Sequence, residues 1–332
     1  FINGFYVSDL STYSNSEMSI KKQSDSKTLP SVDVIAHPLQ SMNEVYNLNA
    51  IEILITKDLS RPLQIMNITL PADHMDMIST AKVKVVLKAN TEAKVVISHL
   101  GKNDCRYFSN NQFECDVEKY ARLELVNHID HNNQSYHFDS LKISTATAST
   151  LKYIELNFGA MMIRHELVVD LNGQHINSEV LSASYLKLKQ HCDSQTTINH
   201  NQSFSRSEQV YKSLLDNEAH SVFSGTVYIA AGIAKADSSQ LNQNLLLSDQ
   251  AEVNSKPILR TFSDDVKASH GSTMGQIQEE EIFYLQSRAI SRSQAIQLLG
   301  QGFLNEIILR IESTEAKYFF ANELLAKFSA VE

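Results

Sequence analysis

The sequence predicts a mainly β protein with a helical C-terminal region, and three observations carry that expectation. Between roughly residues 80 and 250, short runs place apolar residues at every second position, the pattern of strands with one buried face. After Gly275 the apolar spacing lengthens to three or four residues, as on one side of an amphipathic helix. No strong amphipathic run separates the β-type segments, which argues against a doubly wound fold, because its parallel strands need helical crossovers.

With 332 residues, 42% of them hydrophobic and 20% charged, the chain has ordinary globular composition and can bury a large core. Its net charge of −9 argues against a general nucleic-acid or anionic-membrane surface, since both rest on excess Lys and Arg. No apolar stretch reaches the length of a membrane span, and no basic-then-apolar leader opens the chain. A soluble, intracellular protein is therefore expected. The start on Phe1 suggests a trimmed or processed form. The three cysteines, Cys105, Cys115 and Cys192, form no C-x-x-C pair and suit a reduced compartment better than a disulfide framework. The sequons at Asn67, Asn133 and Asn201 fit chance in an Asn-rich chain.

From Phe1 to about Gln40 the chain is Ser-rich and weakly patterned, with a short strand pair expected around Asn3-Gly4. The β-type runs follow: 82–87, 93–100, 121–129, 151–158, 165–171 and 222–230. Leu123, Leu125 and Ile129 share one parity, as do Val83 and Val85. The links between runs are rich in Ser, Asn, Gln and Asp, and few carry the Asn-Gly or Asp-Gly signal of a tight hairpin. Both an antiparallel sandwich and a stacked parallel β-helix satisfy this pattern. No fixed repeat length emerges to choose between them.

The stretch Lys256–Ser291 joins the two periodicities and reads as a polar, turn-rich corner, a usual place for sites. Beyond it, residues 279–288, 291–311 and 313–330 read as helices. Ser291 with Gln294 makes a capping box, and Ser313 or Thr314 caps the last helix. Ile296, Leu299, Phe303 and Ile307 form one stripe; Tyr318, Phe319, Leu324, Leu325 and Phe328 form another. Such stripes need a surface, partly the end of the β-body, and they can also serve a partner.

Among residues able to carry chemistry, His270 stands out because imidazole ligates iron or zinc through one ring nitrogen; the plainer reading is a solvated loop histidine beside a glycine. Asp264 and Asp265 suggest a carboxylate pair acting on a sugar, but adjacent residues in extended chain point to opposite faces, so turn carboxylates are preferred. His128 and His131 read as solvated residues at a strand end. His191-Cys192-Asp193 lacks the glycine elbow of a nucleophile and reads as structural. No G-x-x-x-x-G-K-S/T loop occurs, so the chain itself is not expected to hydrolyse ATP.

The run S-K-P-x-L-x-x-x-x-D-D-V-K-x-S-H-G-x-T-x-G from Ser255, followed by F-Y-L-x-S-R from Phe283, closely resembles the SufB/SufD family of the SUF iron-sulfur assembly system, and its SufD branch in particular. The likeness extends from about residue 60 to the end, through 222–229, 242–251 and the series from Ala295 to Ile307. It implies a right-handed parallel β-helix core at 61–270, a C-terminal α-helical domain at 271–332, and a lead-in at 1–60 left from an N-terminal domain. It implies a non-catalytic assembly subunit, pairing with a SufB-like subunit and binding a SufC-like ATPase, with a homodimer allowed in isolation. On this resemblance Arg288, Ala295, Leu299, Phe303 and Ile307 contact the ATPase partner. His270 falls on the histidine that faces the SufB-like subunit, where a transient iron-sulfur cluster assembles and none is stably held.

Three positions qualify the match. Ala268 stands where the family often has cysteine, which leaves no thiolate ligand there. Leu285 and Ala251 stand near the positions where SufB-type scaffolds carry cysteine, which points to the SufD branch. Bacterial cytoplasm or a plastid-type organelle is the implied location. The rivals are a β-helix enzyme acting on polysaccharide and a homodimeric SufB-like scaffold.

Overall fold

The computed structural model describes residues 1–13, 16–22, 37–47, 49–72 and 75–329. Among them the chain forms β1 (Met18–Lys22), helix α1 (Pro38–Tyr46), β2 (Ile51–Ile55), β3 (Leu63–Thr69), β4 (Met77–Leu87), β5 (Glu92–Gly101) and β6 (Tyr107–Val117). Next come β7 (Arg122–Asp130), β8 (Tyr136–Thr145), β9 (Thr150–Gly159), β10 (Met162–Leu171), β11 (Asn177–Leu186) and β12 (His191–His200). The last strands are β13 (Arg206–Leu215), β14 (His220–Ile229), β15 (Ala236–Leu246), β16 (Glu252–Thr261) and β17 (Val266–Gln276), followed by α2 (Glu279–Gln286), α3 (Arg292–Ile308) and α4 (Thr314–Ser329).

From β2 onward, successive strands alternate between two sheets. One runs β1-β2-β4-β6-β8-β10-β12-β14-β16 and the other β3-β5-β7-β9-β11-β13-β15-β17. Every pairing is parallel except that of β1 with β2. The body is thus a parallel β-helix with two faces, and the sandwich alternative falls. Tyr136, Met162, His191, His220 and Glu252 stack in register on successive coils at unequal steps of sequence, which is why no fixed period shows.

The corners also explain the missing hairpin signals. Asn90, Tyr120, Ala148, Phe204 and Lys235 all have positive φ, and each donates its N–H to a carbonyl of the next coil. Left-handed conformation is here imposed by stacking on residues that do not favour it locally. At the N-terminus, Asn3 and Gly4 do form the expected turn, with Ile2 bridging Phe5. The Ser-rich segment at 23–36 lies outside the described residues.

Between the sheets runs a lumen whose apolar part includes Val85, Leu125, Ile143, Tyr153 and Val169. A second core lies outside it, where Ile154, Leu156, Phe158, Leu181 and Leu214 meet Leu304, Ile307, Ile308, Phe320 and Leu324. Strand β9 is therefore buried on both faces. The helices pack on the flank formed by β7, β9, β11 and β13, and not on the end of the β-body. Charges fasten them there. Arg310 pairs with Glu179 and Glu208, Glu312 with Arg122 and Lys152, Lys327 with Asp130, and Lys212 with Glu306.

The expected capping box is present, Ser291 Oγ accepting from the Gln294 N–H. Ser313 Oγ accepts from Ala316 N–H at the start of α4. A further cap comes from the sheet, where the buried Glu124 carboxylate accepts the N–H groups of Glu312 and Ser313. Cys105, Cys115 and Cys192 are free thiols.

Candidate functional site

The stretch read as a turn-rich corner is in fact the last coil of the β-helix. Strands β16 and β17 occupy it, and only residues 262–265 turn between them. The polar residues that suggested a loop are those of a coil with no coil beyond it among the described residues, where β16 pairs only with β14, and β17 only with β15. Each therefore leaves one edge of backbone N–H and C=O groups without a strand partner.

His270 sits in β17 in register with Gln240, not in a loop. It shares parity with Val266 and Ala268, which pack against Val227, Ile229 and Ala236 inside the last coil. Ser272, of the same parity, bonds across the lumen from its Oγ to Ser255 Oγ of β16 at 2.8 Å. His270 thus belongs to the inward face yet is exposed, because no further coil closes the end. In the same coil Met274 of β17 and Phe262 of the turn before it each leave 59% of their surface exposed. Ala251 is buried below this coil, and Leu285 is half-buried on α2. Asp264 and Asp265 lie in the exposed turn, Asp265 bonded to Lys235, as turn carboxylates do.

The helical stripe divides. Ala295 and Ile307, expected at a partner surface, are 0% and 1% exposed in this chain. Sequence periodicity could not tell which side of the helix the β-body claims. Leu299 and Phe303 are half-buried, the Lys212 ammonium lying 4.6 Å from the Phe303 ring centre. Arg288 is exposed over the ring of Tyr284. Phe283 and Tyr284 of α2, Leu298 of α3, and Tyr318 and Phe319 of α4 remain open to solvent.

The most polar part of the molecule was not anticipated. His131, read as solvated, is buried; its Nδ1 meets Tyr107 Oη at 3.0 Å and its Nε2 meets His137 Nδ1 at 3.1 Å. His137 Nε2 lies 3.5 Å from Asp139 Oδ2 and has no hydrogen-bond partner among the described residues. Asp139 Oδ1 accepts from His165 Nδ1, and His165 Nε2 donates to Asn157 Oδ1 at 2.9 Å. On the opposite sheet His99 touches Asn67 and Asn127, and Asn127 donates to Asp139 at 2.7 Å. All of these side chains are buried.

Burial, the largest influence, holds His99, His131 and His137 below the ordinary imidazole range. At His165 burial is outweighed by the charges of Asp139 and Glu155, and the imidazole is pushed up to about 9. Burial likewise opposes ionisation of Asp139, yet His165 and His137 together hold its carboxyl well below the usual carboxylate range. Burial pushes Glu155 up. Asp139 and His165 thus form a buried ion pair, with Glu155 3.5 Å from the other ring nitrogen, beside imidazoles whose charging burial disfavours. His128 also proves buried, against Phe158 and Phe320, with both ring nitrogens unpartnered among the described residues. Cys192 is buried near Asn157 and Asp193 pairs with Arg164, which fits the structural reading of 191–193. A signal for the lumen did exist: His137, Asp139, Leu141 and Ile143 share one parity, and Asn127 fills the gap in the Leu123, Leu125, Ile129 series.

Residues 70–303 match the family described as SUF system FeS cluster assembly, SufBD core domain. The chain belongs to the SufBD family. It is 31% identical over 92% of its length to the iron-sulfur cluster assembly protein SufD of Escherichia coli, of which it covers 73%. It is 28% identical over 94% of its length to an iron-sulfur cluster assembly SufBD family protein of Synechocystis, covering 73% of that chain. A chloroplastic Arabidopsis thaliana protein, ABCI7, is 26% identical over 72% of this chain and 51% of its own. The SufBD assignment bears out the resemblance seen in the motif and its SufD character. It places the chain in iron-sulfur cluster assembly. Bacterial and chloroplastic SufBD relatives fit a cytoplasmic or plastid location, and no helix among the described residues is long and apolar enough to cross a membrane.

Proposed function

We propose that this chain is the SufD-type member of an assembly complex, joined to a SufB-type subunit through the open β16/β17 end. The observation that carries the reading is the pair of edges on β16 and β17, 10 and 11 residues long and without a strand partner among the described residues, whereas at the other end β2 is covered by antiparallel β1 and β3 is met by Phe1–Asn3. Such edges are templates for strand addition. A second β-helix ending in the same way would satisfy both rows of backbone groups and cover Met274 and Phe262.

At that junction His270 presents an imidazole to an iron-sulfur cluster in assembly, the cargo of the complex and not a resident group. Position 268, an alanine whose side chain faces inward, adds no sulfur. The exposed face around Arg288, Phe283 and Tyr284 of α2, with Tyr318 and Phe319 of α4, is assigned to a SufC-type ATPase. That partner supplies ATP hydrolysis, because this sequence has no phosphate-binding loop.

The test is iron and sulfide content of the complex with SufB-type and SufC-type partners, prepared anaerobically. Wild type, His270→Ala, Ala268→Cys and the double variant are compared. His270→Ala lowers bound iron with little change in melting temperature, since an exposed side chain carries little burial energy; Ala268→Cys restores part of it. Unchanged iron in an intact His270→Ala complex would remove His270 from the site.

A further inference from the structure

We propose that His99, His137 and Asp139 form an enclosed site for a single divalent first-row transition ion in the lumen of the β-helix. Each offers one ligand atom, and the three atoms lie within 4.8 Å of one another. Two imidazoles and a carboxylate are a donor set that suits iron, zinc or cobalt and is poor for calcium or magnesium, which take oxygen ligands. The site goes beyond the pairing at the open end and does not depend on it.

Three further observations point to a ligand. His137 Nε2 is buried 3.5 Å from Asp139 Oδ2 and without a hydrogen-bond partner among the described residues, an exception to the rule that buried polar atoms are bonded. A cavity of about 10 Å³, roughly the space of a single water, adjoins two of the three ligands, His99 and Asp139, together with Asn67 and Asn127, while His137 lies outside its lining. The outer groups that orient metal ligands are also in place. Asp139 gives its other oxygen to His165, and His137 sets its ring by the contact of Nδ1 with His131. Asn67 Oδ1, beside His99, has no partner among the described residues; turning that amide over lets its oxygen accept the Nδ1–H of His99, whose Nε2 then exchanges its 3.1 Å contact with Asn127 Oδ1 for the ion.

An ion so enclosed enters as the chain folds, so loading is tested during expression and refolding. The full-length protein in a His270→Ala background, which removes the candidate iron ligand of the open end, is produced with iron, zinc or cobalt supplements. After anaerobic washing with chelator, metal and sulfide are measured. One ion per chain without sulfide is expected. Refolding with cobalt(II) is expected to give the visible absorption of a nitrogen- and oxygen-ligated ion and to raise the melting temperature over refolding without metal. His137→Gln and His99→Gln lose the ion, whereas His200→Gln keeps it, because His200 is satisfied by Ser205 and Ser207 elsewhere in the lumen. If His137→Gln does not fold, the decision passes to His99→Gln and to the cobalt-dependent melting temperature of the parent protein. No metal above background together with no effect of cobalt on refolding would overturn the proposal. So would retention of the ion by both glutamine variants, which would place it elsewhere.

Discussion

His165 donates from Nδ1 to Asp139 and from Nε2 to Asn157, so both ring nitrogens face acceptors and the imidazolium is matched on each side. A buried pair of this kind contributes little net energy against an apolar replacement but makes loss of one partner costly, because a lone charge then remains in the core. Asp139→Asn and His165→Gln are each expected to lower stability by roughly 3 to 5 kcal/mol, while replacing both with leucine loses less than the sum. Chemical denaturation of the three variants checks this. The pH window follows from the two shifts. The His165 contribution is present below the ordinary imidazole range and fades as pH rises through about 9. The Asp139 contribution is lost on acidification below the ordinary carboxylate range.

His128 behaves in the opposite sense. Burial, with a smaller effect of Lys327, lowers it to about 3, so an unfolded chain takes up a proton near pH 6.5 that the folded chain refuses. Stability therefore falls as pH drops from about 6.5, by about 1.4 kcal/mol per pH unit for this one group. His128→Leu is expected to remove one proton from that slope. It also removes two unpartnered buried nitrogens, which raises stability at neutral pH by about 1 kcal/mol or more. Melting curves between pH 5 and 8 (a range of about three units) decide it.

The β-helix was legible where strands carry apolar residues at every second position, as in 82–87 or 165–171. It was hidden in β12 and β15, HCDSQTTINH and ADSSQLNQNLL, where Ser194, Thr196, Ser238, Gln240, Asn242 and Asn244 are buried on the inward face and Gln209 of β13 bonds Thr196 and Gln240 there. Corners built on Tyr120, Ala148 or Phe204 give no local turn signal, since stacking and not sequence sets their φ. His270 and its motif were found in the chain, but its place in a strand was not, because an end coil has the polarity of a loop. The lumen histidines escaped because partners such as His99 and Asp139 are far apart in sequence and meet only once coils stack.

Docking of the helices on the β-helix flank depends on close approach at Gly300. A Cβ there would lie 2.8 Å from Leu214 Cδ2 and 3.3 Å from the Phe328 ring. Gly300→Ala is expected to cost roughly 1 to 3 kcal/mol through overpacking, in spite of alanine's better helix propensity. Exchange of α3 and α4 amides is expected to rise more than that of the β-helix.

The Glu124 carboxylate gives a complementary test of the same contact. It accepts two N–H groups at the Glu312–Ser313 turn, and burial raises its carboxyl. Glu124→Leu leaves both donors unpaired and is expected to cost about 2 kcal/mol or more, measured by denaturant unfolding. Glu124→Gln, which keeps one acceptor oxygen, is expected to lose less.

The claim that the open end is the pairing surface is tested most directly by amide hydrogen exchange of Glu252–Thr261 and Val266–Gln276, in the chain alone and in complex with a SufB-type subunit. Amides on the unpaired edges exchange quickly in the free chain and are expected to be protected by at least tenfold (about 1.4 kcal/mol) on complex formation, while α2 to α4 change only when a SufC-type ATPase is added. Protection confined to the helices or the outer sheet faces, with β16 and β17 exchanging as before, would contradict the account.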